Sequence, residues 1–509
     1  MKLSQAVFLF VLFHVSWQKT TPSDPYYIAG VVEFAPFDTE ESELTLLNDV
    51  MEMEKIIFHP DAEETDIIVF PEYILKEKVY TYVPDPEDKI TPCDKLDYQY
   101  LLSEVSCYAR SAKKYIVINL FEKVLCESGP KCSKDGIINY NTNVVFDRNG
   151  TVISRYRKTH LYYTEYEKAT LKKPDLSTFT TDFGVTFGHF ICFDLNFYTP
   201  AQQLADQGIT DFVYPTYWFQ EFPFQTALQL HQGWAHANNV NFLSAGGSYP
   251  FTQTTGSGIF AGKHGALKTI ISEVPTRKIL VAKVPKLKYN YKPLVLESKV
   301  FDSQEIPERK TGIQWKRDYN LDLMITELIE ASTLKTEKKL CHNDFCCDFS
   351  IEKIKRFTER SHSTYEYRMV AYEGPGTFHR VETGEFGICA LVACTNSKLS
   401  SCGRIFTDDV KTVANDFYFN KIQIKGSYKK REKILVMPST VDSEFNPLPV
   451  DSYKYSKEEV GDLLEYEIKL TKPKVDILTF GLYGNYFVEK VSLHNSRPVE
   501  EKIRYRVEL

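Results

Sequence analysis

The sequence predicts an α/β domain over residues 26–300, followed by a smaller β-rich domain that disulfides hold together. Three observations support this prediction. Short β-like runs alternate with helical ones over the first 300 residues, apolar residues make up 43% of the 509-residue chain, and all but one of its 11 cysteines fall into two groups. A chain of this length is expected to form two or three domains.

The first region alternates strands with helices. The predicted strands cover residues 26–34, 65–70, 114–121, 183–194, 211–217 and 240–247. Helical spacing links Leu44, Leu47, Met51 and Phe58, and 199–208 has the Thr-Pro start and Gly end typical of a helix. Residues 141–158 predict a hairpin with Asn-Gly at its turn. This β–α–β rhythm indicates an α/β domain.

The pattern changes after residue 300. Residues 301–340 are rich in charge, which predicts a linker with one helical piece. From 341 to 509, β-prone runs are separated by Gly, Pro, Asn and Ser, and helical spacing is scarce. These features predict the second, β-rich domain.

The cysteines indicate an oxidising compartment. Four of them (Cys93, Cys107, Cys126, Cys132) and six more (Cys341, Cys346, Cys347, Cys389, Cys394, Cys402) can pair within their own regions, although sequence alone does not give the pairing order. The cluster over 341–348 could also ligate a metal, but disulfides are favoured outside the cell. Cys192 is left over, as a buried thiol or a reactive one.

The ends of the chain predict a secreted protein. Residues 1–21 have the basic start and short apolar run of a signal peptide. No later stretch is long and apolar enough for a membrane span, and 497–509 lack the hydrophobic tail of a GPI signal. Asn149 begins the sequon Asn-Gly-Thr, a candidate glycosylation site. The net charge of −7 gives no indication of nucleic-acid binding.

Three reactive residue types follow predicted strands. Cys192 lies at the end of one strand, and Glu72 and Lys158 follow two others. Functional groups collect at this edge of an α/β sheet. A carboxylate that accepts the thiol proton, a thiolate that attacks a carbonyl and an ammonium that stabilises the oxyanion form a coherent amide hydrolase. Glu165 is a fourth candidate, which would position the lysine or the substrate.

These residues lie in segments that resemble a known superfamily. The segments 71–73 (PEY), 156–165 (YRKTHLYYTE) and 188–194 (GHFICFD) are similar to the three catalytic segments of the carbon–nitrogen hydrolases, the nitrilase superfamily. Further segments resemble its biotinidase/vanin branch: 140–147 (YNTNVVFD), 212–218 (FVYPTYW), 239–247 (NVNFLSAGG) and 255–260 (TGSGIF).

The resemblance implies a fold and a set of roles. The first domain would be an αββα sandwich, with no metal and no organic cofactor. Glu72 would be the general base, Lys158 the oxyanion stabiliser, Cys192 the nucleophile and Glu165 a supporting carboxylate. The substrate would be a small linear amide of a vitamin-type metabolite: pantetheine, biocytin or another secondary amide. Tyr217, Trp218 and Asn196 are the predicted pocket residues.

Several alternatives stay open at this point. The same thioester would serve an acyltransferase, and the fold would also suit a secreted protein that binds without turnover. A Cys–His pair of Cys192 with His189 is disfavoured, because residues three apart on a strand point to opposite faces. His231 and His236 are interpreted as structural histidines. The sequence does not predict the oligomeric state.

Overall fold

A computed structural model describes most of the chain. The described residues are 19–38, 41–74, 80–96, 98–165, 167–287, 300–302, 312–355, 364–378, 381–406, 416–475 and 477–488. Most of the predicted signal peptide, 1–21, lies outside the described residues, and so does the C-terminal stretch 497–509.

The first domain has the predicted alternation of strands and helices. Its helices are α1 (Ser42–Ile57), α2 (Tyr100–Ala112), α3 (Gln203–Asp206) and α4 (Ala227–Asn238). Its strands are β1 (Tyr26–Phe34), β2 (Ile67–Val69), β3 (Tyr80–Thr81), β4 (Tyr115–Leu125), β5 (Ile137–Phe146), β6 (Val152–Arg157), β7 (Thr178–Thr180), β8 (Thr186–His189), β9 (Asp211–Thr216), β10 (Glu221–Phe222), β11 (Asn241–Gly246), β12 (Ser257–Ala261), β13 (Ala266–Ile270), β14 (Arg277–Pro285), β15 (Val300–Asp302) and β16 (Lys316–Arg317). An observed strand overlaps each strand that the sequence predicts in this domain. The predicted strand 183–194 is shortened to β8, and Cys192 lies in a short helix, Cys192–Asn196, rather than at the end of that strand.

These strands form two main sheets. The first has the order β15-β14-β1-β2-β4-β5-β6, with β3 paired to β4, and the second has the order β13-β12-β11-β9-β8-β7. The central strands β1, β2 and β4 are parallel, as are β8, β9 and β11. Parallel strands bring their carboxyl ends to one edge of a sheet, where ligands bind in α/β folds.

Alternating side chains explain how the two sheets stack. On β2, Ile67 and Val69 pack in the core between the sheets, whereas Ile68 packs under the helices α1 and α2. On β9, Val213 points into the core between the sheets and Phe212 points outward to the core around α4. Both faces of each sheet are therefore covered, which confirms the αββα sandwich.

Helix α1 is present where the spacing predicts it, but its buried face is a different one. Its inward residues are Val50, Met53, Ile56 and Ile57. Leu44, Leu47, Met51 and the following Phe58, whose spacing predicts the helix, are 40–47% exposed. Apolar residues lie on both sides of this helix, so their period identifies a helix without identifying the face that packs on the sheet.

The second domain is β-rich, as the sequence predicts, and its strands form a sandwich of two antiparallel sheets. Its strands are β17 (Ile325–Ile329), β18 (Lys335–His342), β19 (Phe345–Lys355), β20 (Glu366–Phe378), β21 (Val381–Cys394), β22 (Phe417–Lys429), β23 (Ile434–Asp442), β24 (Tyr453–Val460), β25 (Leu463–Leu470) and β26 (Ile477–Tyr486). One sheet has the order β17-β20-β21-β26-β23 and the other the order β18-β19-β22-β25-β24. Their facing sides enclose a core of aromatic and aliphatic residues.

The segment 301–340 differs from the linker that the sequence predicts. Its residues 325–329 and most of β18 belong to the sheets of the second domain, and each of these strands lies at the edge of its sheet. Edge strands carry many charged side chains, because one edge and often one face contact water. That charge explains why the segment resembles a linker in sequence.

The cysteines pair as the grouping predicts. The disulfides are Cys93–Cys107, Cys126–Cys132, Cys341–Cys346, Cys347–Cys389 and Cys394–Cys402. Cys192 is a buried free thiol. The cluster over 341–348 therefore forms disulfides in this structure.

Helix α4 of the first domain packs against the second domain. One side of it packs on the second sheet, and the other contacts β23 of the second domain. Gly233 permits this approach, because a Cβ there would lie 2.7 Å from the carbonyl oxygen of Pro438. The Gln229 amide also donates to the Ser439 hydroxyl across the interface, at 2.7 Å. Every residue from Ala227 to His236 is accordingly buried.

Candidate active site

The structure brings Glu72, Lys158, Glu165 and Cys192 to one cavity. Glu72 lies three residues after the end of β2, and Lys158 directly follows β6. Cys192 lies three residues after β8, and Glu165 ends a short 3₁₀ turn, Tyr163–Glu165. The strand ends of both sheets thus deliver these side chains to a common point, as expected for an α/β fold.

Three of these side chains form a buried ionic cluster. Lys158 Nζ lies 2.7 Å from Glu72 Oε1 and 2.7 Å from Glu165 Oε2. Each of the three side chains is 1% exposed. Low exposure weakens screening by water, so the charges act strongly on one another. One ammonium therefore serves two carboxylates.

The electrostatics of the cluster keep Lys158 charged. Burial raises the pKa of Glu72, while the nearby Lys158 ammonium lowers it. Burial lowers the pKa of Lys158, but Glu165 and Glu72 outweigh burial and hold this pKa well above its usual value. The lysine is therefore a permanent cation within this cluster.

The thiol itself is protonated in the resting site. Burial raises the pKa of Cys192, the charge of Glu72 raises it further, and Lys158 lowers it. A neutral thiol is a poor nucleophile, so attack on a carbonyl requires a base that takes its proton. Glu72 is a carboxylate that interacts electrostatically with this thiol.

A strained turn holds Cys192. Its φ is +42°, in the left-handed region that side-chain-bearing residues rarely adopt. The Tyr214 hydroxyl donates to the Cys192 carbonyl at 2.7 Å. The Asp194 carboxylate accepts hydrogen bonds from the Ile191 and His160 N–H groups, at 3.1 and 2.8 Å. Asp194 thus ties the turn to the segment that follows Lys158. Backbone strain of this kind collects at functional sites.

The cavity above these groups is aromatic. Its volume is about 300 Å³. Its aromatic lining consists of Phe37, Tyr73, Tyr162, Phe193, Tyr217, Phe219, Tyr249 and Phe378. An apolar cavity with a few convergent polar groups is typical of a small-molecule site.

Of the three predicted pocket residues, only Tyr217 lines this cavity. The prediction is wrong for Trp218, which follows the end of β9, is 1% exposed and donates its indole N–H to the Gln225 carbonyl at 2.9 Å. It is also wrong for Asn196, which is buried in the short helix Cys192–Asn196. The Asn196 carbonyl accepts a hydrogen bond from Asn485 of the second domain, at 3.0 Å.

Sequence reasoning missed most of the aromatic lining of the cavity, including Phe378, and it also missed Asn141 beside the ionic cluster. Phe378 comes from β20 of the second domain, and its ring centroid lies 4.6 Å from that of Trp218. Asn141, in β5, donates to both Glu72 and Glu165. Asparagines that alternate at positions 139, 141 and 143 of one strand are the signal for Asn141, whereas nothing local in the sequence relates Phe378 to the first domain.

Two of the histidines considered in the sequence analysis, His189 and His231, contact serine hydroxyls. His189 Nε2 lies 2.8 Å from the Ser154 hydroxyl, and burial lowers the pKa of His189 to about 3. His231 Nδ1 lies 3.0 Å from the Ser244 hydroxyl. Within the part of the chain that the structure describes, no group of three or more His, Cys, Asp or Glu residues is arranged to hold a metal ion.

Family models match both parts of the chain. Residues 37–244 match the carbon–nitrogen hydrolase model, and residues 313–490 match the vanin C-terminal domain model. Vanin-like protein 1 of Drosophila melanogaster is 39% identical over 500 residues, which is 93% of this chain and 88% of that protein. Pantetheinase of Bos taurus is 28% identical over 501 residues, covering 92% of this chain and 91% of the relative.

A nitrilase-superfamily amidase from Nesterenkonia, known from its solved structure, is similar at a greater distance. It is 16% identical, with a TM-score of 0.38, over 53% of this chain and 94% of its own.

The fold and the matching models define a carbon–nitrogen hydrolase, an enzyme that acts on linear amides. The match to the vanin C-terminal domain and the identity to vanin-like relatives place it further. The chain belongs to the vanin family.

Proposed function

We propose that this enzyme hydrolyses pantetheine to pantothenate and cysteamine through a thioester on Cys192. The observation that carries the proposal is the cluster of Glu72, Lys158 and Glu165 beside a buried free thiol at an aromatic cavity. Relatives that match over most of the chain are named pantetheinase, which agrees with this substrate.

The reaction follows from the charges of the cluster. Glu72 accepts the thiol proton as the Cys192 sulfur forms a bond to the amide carbonyl carbon. The oxyanion lies near the Lys158 ammonium, and collapse of the tetrahedral intermediate breaks the carbon–nitrogen bond. The leaving amine takes the proton from Glu72, which leaves a thioester. Glu72 then deprotonates water, whose attack releases the acid and returns the proton to the thiol.

Glu165 contributes by holding the lysine. Its Oε2 accepts from Lys158 Nζ at 2.7 Å and from the Tyr162 N–H at 2.8 Å. Since Lys158 is bound from two sides, its ammonium needs little reorganisation when charge develops on the substrate oxygen. Preorganised charge of this kind is an effective source of rate acceleration.

The charges of the cavity favour pantetheine over biocytin. Among the described residues that line it, Lys158 is the sole cation, and both of its hydrogen-bonded partners are carboxylates. Asp38 is a further acid in this lining. The lysine part of biocytin carries both a free carboxylate and a free ammonium. The acidic lining attracts the ammonium, but it offers the carboxylate no uncommitted cation. Pantetheine is neutral and matches the aromatic walls.

Secretion is part of the same proposal. Vanin relatives and the disulfides fit an extracellular protein. Asn149 is exposed at the turn between β5 and β6, where a glycan would have room. Among the described residues, no helix is both long and apolar enough to cross a membrane. Cleavage of residues 1–21 and glycosylation of Asn149 remain predictions.

The test is a side-by-side assay of pantetheine and biocytin. We expect pantothenate release from pantetheine and at least about tenfold slower biotin release, because leaving a buried charge unpaired costs more than 1.4 kcal/mol. The released acids are measured by mass spectrometry. A thiol assay would not distinguish cysteamine from pantetheine, since both carry a thiol, and an amine assay would not distinguish lysine from biocytin, which already carries an amine.

The control is the Cys192→Ala variant, which should release neither acid. Faster release of biotin than of pantothenate would overturn the charge argument. Wild-type enzyme that releases neither acid would reject this substrate class.

A further inference from the structure

Two asparagines connect the carboxylates of the site to each other and to the backbone beside Glu72. Asn141 Nδ2 donates to Glu72 Oε1 at 2.7 Å and to Glu165 Oε1 at 2.5 Å. Asn119, on the neighbouring strand β4, donates from Nδ2 to Asn141 Oδ1 at 2.6 Å. Asn119 Oδ1 accepts from the N–H of Tyr73, the residue after Glu72, at 3.3 Å.

The partners fix the orientation of both amides. Ionised carboxylates only accept hydrogen bonds, so the NH₂ group of Asn141 must face Glu72 and Glu165. The Asn141 carbonyl then faces Asn119, which must present its own NH₂ group. That leaves the Asn119 carbonyl for the Tyr73 N–H. A flip of either amide would break at least two hydrogen bonds, so the chain runs in one direction only.

This chain of hydrogen bonds through Asn141 and Asn119, called the relay below, also fixes the backbone at Glu72. Tyr73 has a φ of +59°, which is unfavourable for a residue with a large side chain. The hydrogen bond from its N–H to Asn119 helps to hold this conformation. The same pair of asparagines thus restrains the Glu72 carboxylate through Asn141 and the turn beside it through Asn119.

The two carboxylate oxygens of Glu72 are left in different states. Oε1 accepts hydrogen bonds from Lys158 Nζ and from Asn141, and these two bonds occupy both lone-pair positions of Oε1. Oε2 accepts one hydrogen bond, from the Tyr217 N–H at 3.1 Å, and keeps one position open among the described residues. A proton that arrives at Glu72 therefore meets a free lone pair on Oε2.

We propose that Asn141, supported by Asn119, is a positioning residue that holds the Glu72 and Glu165 carboxylates in place and directs the thiol proton to Glu72 Oε2. The inference rests on the proposed function, because it takes Glu72 as the base. Asn141 supplies each acid with a neutral donor where a single ammonium must serve both. Its hydrogen bond favours the ionised form of Glu72 and so lowers the pKa of that carboxyl.

Asn141→Asp tests the proposal, because it keeps the shape of the side chain and removes both donated hydrogen bonds. Loss of the donor and the added negative charge both raise the pKa of Glu72. Activity is lost as pH falls through this pKa, so the acid limb of the kcat profile should move to higher pH. At neutral pH we expect kcat to fall roughly 100-fold, as for a lost hydrogen bond to a charged group, with KM changed less than about threefold.

Asn139→Asp is the matched control. Asn139 lies two residues away in β5, half-buried, and belongs to neither the relay nor the cavity lining. It adds the same charge to the same strand and should leave the kcat profile nearly unchanged. Asn119→Asp is a second relay variant, which keeps the carbonyl that accepts from Tyr73 and should shift the acid limb in the same direction by less.

The pH dependence of Cys192 alkylation by iodoacetamide separates this proposal from the proposed function. If wild-type enzyme does not hydrolyse pantetheine, the substrate is wrong, yet Asn141→Asp must still move the alkylation profile relative to Asn139→Asp. Identical alkylation and kcat profiles for the two variants would overturn the relay. Should Asn141→Asp fail to fold, Asn119→Asp gives the same comparison.

Discussion

Replacement of Cys192 by alanine should abolish amide hydrolysis and leave the fold intact. Loss of a nucleophile removes the covalent route, so we expect kcat to fall at least about 10⁴-fold. The thiol is buried, but it is small and forms no disulfide. Alanine and cysteine pay the same backbone strain at the φ of +42°. The unfolding free energy should change by about 1 kcal/mol or less. Pantothenate release and urea denaturation of both proteins measure the two effects.

Cys192→Ser is the matched control for this prediction. It places a hydroxyl at the position of the thiol and should be almost as inactive as the alanine variant, because the proposed mechanism depends on a thiol nucleophile. A Cys192→Ala variant that keeps more than about one hundredth of the wild-type kcat would remove the nucleophile from the mechanism. A variant that unfolds would instead assign Cys192 a packing role.

Lys158→Met should have the largest effect on stability. It removes the ammonium and leaves Glu72 and Glu165, each 1% exposed, without a cation. Breaking a buried pair in this way costs about 3–5 kcal/mol. Without the lysine, burial raises the folded-state pKa of Glu72 further above its unfolded value. The variant therefore loses stability as pH rises from the unfolded pKa to the folded one, and the deficit shrinks on acidification. Urea denaturation at pH 5 and pH 8 measures this difference.

An exposed ion pair provides the comparison. Lys425 pairs with Glu467 at 3.1 Å, but its side chain is 51% exposed, so Lys425→Met should cost less than about 1 kcal/mol at either pH. Equal stability of the two variants would mean that the buried cluster is not ionised. A Lys158→Met deficit that does not depend on pH would lead to the same conclusion.

The sequence predicted the positions of reactive side chains well where those side chains directly follow a strand. Strand patterns can be recognised locally, and parallel strands end at one edge of a sheet, so Glu72, Lys158 and Cys192 were expected to meet. The structure places them at one cavity. Glu165 lies in an irregular turn, where the residues suggested only a candidate, and the family resemblance supplied its role.

Local patterns failed where long-range packing decides the outcome. Tyr217 and Trp218 are neighbours just past the end of β9, and nothing in the sequence tells which of them faces the cavity. Phe378 reaches the cavity from another domain, which no pattern around Cys192 reveals. The buried face of α1 and the edge strand β18, which was predicted as part of a linker, were mispredicted for related reasons. In each case the neighbour that covers a surface comes from a distant part of the chain.

The central claim is that a thioester on Cys192 carries the acyl group. The most direct measurement is the mass of the enzyme and of its peptides, quenched in acid during the first turnovers of pantetheine. We predict a mass increase equal to the pantothenoyl group on the peptide that contains Cys192, and its removal by hydroxylamine. Hydrolysis with no adduct on Cys192 from milliseconds to seconds, and no hydroxamate when hydroxylamine is present, would contradict the thioester mechanism.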